Sequence, residues 1–350
     1  MNGIATAGLV AVFLAGAGAT WIAGVLLAKA TDAIDDRLHL GEAMGGMVLL
    51  AVAGSLPEVA ITVTAAASGN LGLAAGNLVG GIAVQTMVLV ICDVASDRRL
   101  PLSYLVGSLV PVLEGVLVIA VCSVMLLGAL LPASTAIGSV SPASIAIIVI
   151  WIGGIWILNR VRKSPQWQVH MPGSHPGRPH RRVAHPRAAK PFASRSTVYV
   201  GLVFFAGSVV TLAAGVLLAQ SGSALADRAG INGVIFGATF LALATALPEI
   251  STGVAAVRLG DNQLAMGDIF GGNAFQLCLF LVADVVAGRP LMPTLGAQNA
   301  WLASLGILLT LVYVASIVVR SQKCIVRLGA DSIVVISIYV IGILGLASLR

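Results

Sequence analysis

Residues 54–85 read GSLPEVAITVTAAASGNLGLAAGNLVGGIAVQ, and residues 245–276 read TALPEISTGVAAVRLGDNQLAMGDIFGGNAFQ. A single offset of 191 residues superimposes them. Leu56-Pro57-Glu58 falls on Leu247-Pro248-Glu249, Gly76-Asn77-Leu-Val-Gly80-Gly81 on Gly267-Asp268-Ile-Phe-Gly271-Gly272, and Gln85 on Gln276. The register extends outward without a gap from about residue 20 to residue 100. Gly24-Val25-Leu26-Leu27-Ala28 matches 215–219, Asp36-Arg37 matches Asp227-Arg228, Asp93 matches Asp284 and Arg98 matches Arg289. Chance likeness between apolar segments supplies scattered Leu, Ala and Val matches. It does not place Pro-Glu, Asp-Arg and Gln in one register. The chain is an internal duplication.

The surroundings of the repeat fix its solvent. Of 350 residues, 58% are hydrophobic and 10% charged, with a mean hydropathy of +1.00. A soluble domain carries about 25% charged residues. This composition excludes a soluble enzyme, a nucleic-acid-binding domain and a disordered chain. The apolar residues lie in continuous blocks of about 20, the length of a membrane-crossing helix, and do not alternate as barrel strands do. Ten spans are predicted, near 3–29, 42–67, 71–93, 101–127, 141–160, 197–220, 232–257, 262–284, 298–319 and 331–349. The fold class is an all-α polytopic membrane protein. No basic stretch precedes the first block, whose first cation is Lys29, so it is expected to remain as a helix. The four cysteines are scattered, with no metal-ligand spacing.

Residues 161–196 differ from the rest. They are rich in Pro, Arg and His, contain no acid, and lack the apolar residues to pack a core. They read as a flexible linker between a first five-helix unit, 1–160, and a second, 197–350. His170, His175, His180 and His185 recur every five residues there, which reads as incidental composition. Placing the linker in the cytoplasm puts 17 of the 20 Lys and Arg inside and leaves Arg228, Arg289 and Arg350 outside. Both termini are then outside, and the protein is integral to the cell membrane. Five helices per unit is an odd number, so the second unit enters from the opposite side. The expected architecture is ten transmembrane helices in two inverted-topology repeats, with a site near the midplane where they meet.

Glu58 and Glu249 lie near the middle of their spans. An ionised carboxylate at that depth costs at least about 3 kcal/mol unless it pairs, faces water or binds a cation. No Lys or Arg lies at comparable depth in the predicted spans, so the two acids point to a cation site. Carboxylate oxygens suit hard cations such as Ca²⁺, Na⁺ and protons. Each Glu follows a Pro, which frees the carbonyl four residues earlier. Carbonyls near Ala53, Gly54, Ala244 and Thr245 and the hydroxyls of Ser55 and Thr245 thus become further oxygen donors. Gly76-x-x-x-Gly80 and Gly267-x-x-x-Gly271 have the small-residue spacing of close helix packing. The polar residues beside them, Asn77, Asp268 and Asn273, are candidates for the site. Gln85 and Gln276, two turns on, bring amide oxygens to the depth of the glutamates. Glu114, beside Pro111, has Leu305 as its offset mate and reads as a peripheral or gating acid. Asp93 and Asp284 are expected at the interface. No P-loop occurs, so nothing in the sequence points to ATP hydrolysis. The partners implied are inorganic cations and the bilayer, not nucleic acid, and no cofactor is expected.

The paired GSLPE and ATALPE elements followed by GNLVGG and GDIFGG resemble the two α-repeats of the calcium/cation antiporter superfamily, the sodium/calcium exchangers in particular. The resemblance implies that Glu58 and Glu249 are the central acids that bind Ca²⁺, with Ser55 and Thr245 as flanking hydroxyls. It also implies ligand roles for Gln85 and Gln276, at the final Asn/Asp position of the second motif. The chain departs from the family pattern. Gly54 and Ala246 replace hydroxyl residues, Gly81 and Gly272 replace the usual Ser, Ile82 replaces the following Asn, and Gln stands for Asn/Asp twice. The implied activity is antiport of Ca²⁺ against Na⁺ or H⁺ by alternating access. A monovalent cation/proton antiporter on the same scaffold is the alternative; an intramembrane hydrolase or a channel lies further off.

Overall fold

The computed structural model describes residues 4–38, 52–96, 100–163, 192, 194–325 and 328–349. Twelve helices carry the architecture: α1 (Thr6–Leu38), α2 (Leu56–Ala67), α3 (Leu71–Ala95), α4 (Val110–Ala129), α5 (Pro142–Lys163), α6 (Thr197–Ala229), α7 (Gly233–Thr245), α8 (Leu247–Arg258), α9 (Asn262–Gln276), α10 (Leu279–Ala287), α11 (Ala297–Val319) and α12 (Ala330–Ser348). Among the described residues, eight helices are long and apolar enough to cross a membrane, α9 and α10 together making one of them. The pair α7 and α8, bent by 46° at its break, makes a ninth. Of the predicted span 42–67, only 52–67 is described. Most of the linker, its four histidines included, lies outside the described residues, as does Arg98 of the repeat.

Three expectations need correction. The first and sixth spans are longer than predicted, at 33 residues each. Such a helix is about 50 Å long, so it spans a bilayer only when tilted or projecting from it. Residues 161–163 belong to α5 rather than to the linker, because nothing in Val-Arg-Lys breaks a helix. The predicted span 101–127 is a single turn, Leu102–Leu105, followed by α4, since Pro111 starts a new helix rather than continuing one. Among the described residues, a two-residue antiparallel pair, Cys324–Ile325 with Leu328–Gly329, and an isolated bridge between Ile137 and Val140 lie between the helices.

The 191-residue offset reappears as geometry. Gly69 (φ +76°) and Gly260 (φ +82°) both end a helix in the left-handed region. The next residues, Asn70 and Asp261, cap α3 and α9 by accepting from the backbone N–H three positions on. Arg37 donates to the Thr197 hydroxyl and to the carbonyls of Phe192 and Arg195, while Arg228 donates to the Thr6 hydroxyl and the Ile4 carbonyl. The end of α1 thus meets the start of α6 and vice versa, so these mates run antiparallel. Gly24 of α1 packs on Pro248 so closely that a Cβ would lie 2.6 Å from the ring, and Gly215 of α6 packs in the same way on Pro57 and Ala60. Each long helix therefore seats on the Leu-Pro-Glu helix of the other half.

Asp93 and Asp284, expected at the interface, are helix-end residues but are buried. Asp93 accepts from Leu102 N (2.8 Å), Gly329 N (2.7 Å) and Ser332 Oγ (2.7 Å), tying α3 to the start of α12. Asp284 accepts from Leu291 N (2.6 Å), Ser141 N (3.0 Å) and Ser144 Oγ (2.7 Å), tying α10 to the start of α5. A carboxylate at a helix N-terminus meets unpaired N–H groups and a favourable dipole. The result is a reciprocal brace between the halves, with α3, buried on almost every face, at the centre.

Candidate cation site

Both glutamates occupy the same local position. Helices α2 and α8 restart after a break at Ser55 and at Ala246, and each opens Leu-Pro-Glu. Proline lacks the N–H that a helix's first turn leaves unused, so it starts these helices rather than kinking a continuous one. Glu58 and Glu249 lie in the first turn, where they meet the positive end of the helix dipole. Glu58 is 1% exposed and Glu249 half-buried. Their carboxylates are near enough to repel each other, and Asp268 adds to the repulsion at Glu249.

The surrounding donors come from both halves. Thr245 places its hydroxyl at Glu58 and also donates to the Ala242 carbonyl. Gln85 Nε2 faces Glu58 Oε1 at 3.5 Å, the long end of hydrogen bonding. Thr252 donates to Asp268 Oδ2 at 3.1 Å. Asn273 Nδ2 reaches Thr86 Oγ1 at 3.5 Å, and Gln276 Nε2 donates to the carbonyls of Asn77 and Leu78 at 3.1 Å each. Ser55 is buried at the helix break. The structure thus groups Glu58, Glu249, Thr245, Gln85 and Asp268, and joins Gln276 to Asn77 and Asn273 to Thr86.

Several buried oxygens in this region have no protein partner: Glu58 Oε2, Glu249 Oε2, Asn77 Oδ1, Asn273 Oδ1 and Gln276 Oε1. A buried polar atom left unpaired costs about 1–3 kcal/mol. Unpaired acceptors around two mutually repelling carboxylates are the electrostatics a cation relieves. Thr252 and Thr86 were not singled out in the sequence. Thr252 stands three residues after Glu249, on the same helix face, and that spacing is the signal that would have found it.

The two Gly-x-x-x-Gly elements diverge. Gly76 and Gly80 bring α3 against the backbone of α7 at Val234 and Ala238. Gly267 instead faces Glu114, and Gly271 has open space where a side chain would be. Glu114 is buried and paired with Arg162 at 2.8 Å. Arg162, within the expected linker 161–196, is carried to Glu114 by the longer α5.

The family profile described as sodium/calcium exchanger protein matches residues 8–133 and 199–347, leaving out the linker. CaxA of Alkalimonas amylolytica, a candidate antiporter, is 26% identical over 257 residues, 73% of this chain and 74% of its own. The crystal structure of the H⁺/Ca²⁺ exchanger CAX is 14% identical with a TM-score of 0.65, covering 97% of this chain and 87% of that one. A structure of the sodium–calcium exchanger NCX_Mj is 16% identical with a TM-score of 0.59, covering 98% and 99%. At these identities the structural likeness concerns the fold. With two matched segments, one on each side of the linker, the chain is an integral membrane protein of the sodium/calcium exchanger family.

Proposed function

We propose that this protein is a secondary active cation antiporter that exchanges Ca²⁺ for Na⁺ or H⁺ at one site built by Glu58 and Glu249. The observation that carries the reading is the pairing of these two acids across the repeat, near enough to repel, each with a buried oxygen left unpartnered. Two carboxylates neutralise one divalent ion. Thr245, Asp268, Gln85, Gln276, Asn77, Asn273 and Ser55 supply the remaining oxygens, directly or by holding the ligands.

Alternating access follows from ten helices in two inverted five-helix repeats. The antiparallel mates α1 and α6, the reciprocal seats Gly24 on Pro248 and Gly215 on Pro57, and the crossed braces of Asp93 and Asp284 support that arrangement. The linker lies in the cytoplasm and both termini outside, by the distribution of Lys and Arg.

The test is Ca²⁺ flux in inverted vesicles under an imposed Na⁺ or H⁺ gradient. Glu58→Gln and Glu249→Gln each abolish exchange; normal flux in both variants refutes the site. One observation favours the monovalent alternative. Gln85 offers Glu58 an N–H rather than an oxygen, which occupies a carboxylate lone pair that a divalent ion would use. Calorimetric titration with Ca²⁺ and with Na⁺ separates the two readings.

A further inference from the structure

We propose that Gln85 and Gln276 form a two-position latch whose settings exchange as the carrier turns from one side of the membrane to the other. The proposal rests on the alternating-access reading above.

The two glutamines are mates under the 191-residue offset, on α3 and α9, and are 3% and 1% exposed. Their engagements differ. Gln276 reaches across to α3 and donates to the Asn77 and Leu78 carbonyls. It fits there because residue 81 is glycine: a Cβ on Gly81 would collide with Gln276 Nε2. The mate carbonyls on α9 are those of Asp268 and Ile269. Among the described residues no hydrogen bond joins Gln85 to them; its Nε2 faces Glu58 instead. The mate of Gly81 is Gly272, and a Cβ there would lie 3.9 Å from Gln85 Oε1, an ordinary contact. Each amide therefore has a glycine-lined berth on the opposite half, and one berth is taken.

In an inverted repeat, two conformations of opposite sidedness arise when the halves trade local structures. Trading these settings docks Gln85 Nε2 on the Asp268 and Ile269 carbonyls, against Gly272. It also releases Gln276 towards Glu249, whose Oε2 now lacks a partner. In either state one glutamate holds an amide donor, and the other glutamine is clamped to backbone. The glutamines are positioning residues: they decide which glutamate is free of a competing N–H, and they hold α3 and α9 in register.

The glycines provide the test. In Gly81→Ala the new methyl meets the tip of a flexible side chain, so the chain folds and the amide is expelled from its berth. The setting described here loses two hydrogen bonds. In Gly272→Ala this setting is tolerated and the exchanged one is blocked. Single cysteine reporters at the mate positions Thr252 (half-buried) and Ile61 (buried) are introduced into a Cys324→Ser chain. A membrane-impermeant maleimide is then applied to proteoliposomes. Gly81→Ala is expected to slow labelling at 252 and speed it at 61, by about tenfold, the effect of two hydrogen bonds of ordinary net strength. Gly272→Ala is expected to do the opposite. Gln276→Ala should follow Gly81→Ala, and Gln85→Ala should follow Gly272→Ala, which keeps the test available if a glycine variant folds poorly. Shifts of the same sign in the two glycine variants, or shifts below twofold in all four, overturn the latch. Parent proteoliposomes without cation-for-cation exchange overturn the antiport reading itself; exchange without opposite shifts overturns the latch alone.

Discussion

Asp284→Ala removes one of the two cross-braces without touching the candidate cation site. The buried carboxylate accepts three hydrogen bonds, from Leu291 N, Ser141 N and Ser144 Oγ, at 2.6–3.0 Å. Bonds to a charged group contribute roughly 1.5–3 kcal/mol each, and a donor left buried without an acceptor costs about 1–3 kcal/mol. Because α5 can relax at its first turn and admit water, the contributions do not simply add. Three such bonds at the lower end of that range give about 4 kcal/mol, the value we take here. For a large chain this lowers the melting temperature by roughly 8 °C. Asp284→Asn keeps one acceptor oxygen but turns an NH₂ towards a donor, so it loses about half as much. The repeat adds a second condition. Asp93 has the same three kinds of partner, two backbone N–H groups and one serine hydroxyl, so Asp93→Ala should destabilise to the same extent. The assay is thermal unfolding in detergent, followed by size-exclusion recovery after heating. Melting within 1 °C of the parent, or a clear inequality between the two alanine variants, refutes the brace.

Two other perturbations read separate parts of the molecule. Arg162→Ala leaves Glu114 buried without its counter-charge and is expected to cost about 2 kcal/mol, less than a fully buried pair because Arg162 is a quarter exposed. Glu114→Gln/Arg162→Ala should recover most of that loss in the same melting assay. Cys324 is exposed while Cys92, Cys122 and Cys278 are buried, so a small maleimide should modify one thiol in the folded protein. The Cys324 thiol is held above its ordinary range by partial burial, with the carboxylates of Asp93 and Asp331 adding to the effect. The thiolate is the reactive form, so labelling should be slow at pH 7 and rise about tenfold per pH unit until the thiol ionises. Mass spectrometry of labelled protein checks both the site and the slope.

The frame was legible because polar residues in apolar helices are rare and each carries position. Pro57 and Pro248, Glu58 and Glu249, and Asp93 and Asp284 fixed one register from the sequence, and the structure uses each pair in equivalent local geometry. Helix ends were less legible. Hydropathy marks where apolar residues stop, but α1 and α6 continue into polar sequence because their hydrogen bonding has no reason to end there. That same blindness hid the partner of Glu114, since Arg162 was read as linker. The direction of the glutamine amides could not be read at all. Which carbonyl an amide reaches depends on how closely two backbones approach, and that distance is set by Gly81 in a different half of the chain.

The departures from symmetry are as informative as the matches. Thr252, Asp268 and Glu114 have Ile61, Asn77 and Leu305 as their offset mates. Thr252 bonds Asp268, and Asp268 is near enough to Glu114 for their charges to interact. Thr252 and Asp268 therefore form a polar link beside Glu249 whose charge reaches Glu114, where the offset mates are two aliphatic side chains and a neutral amide. The matched residues serve what both halves must do alike: break a helix, present a glutamate, seat a long helix on a proline. The unmatched ones set the two halves apart by charge. Asp268 sets an acid near Glu249 where its mate Asn77 is a neutral amide, so the two halves differ electrostatically even where their backbones are equivalent.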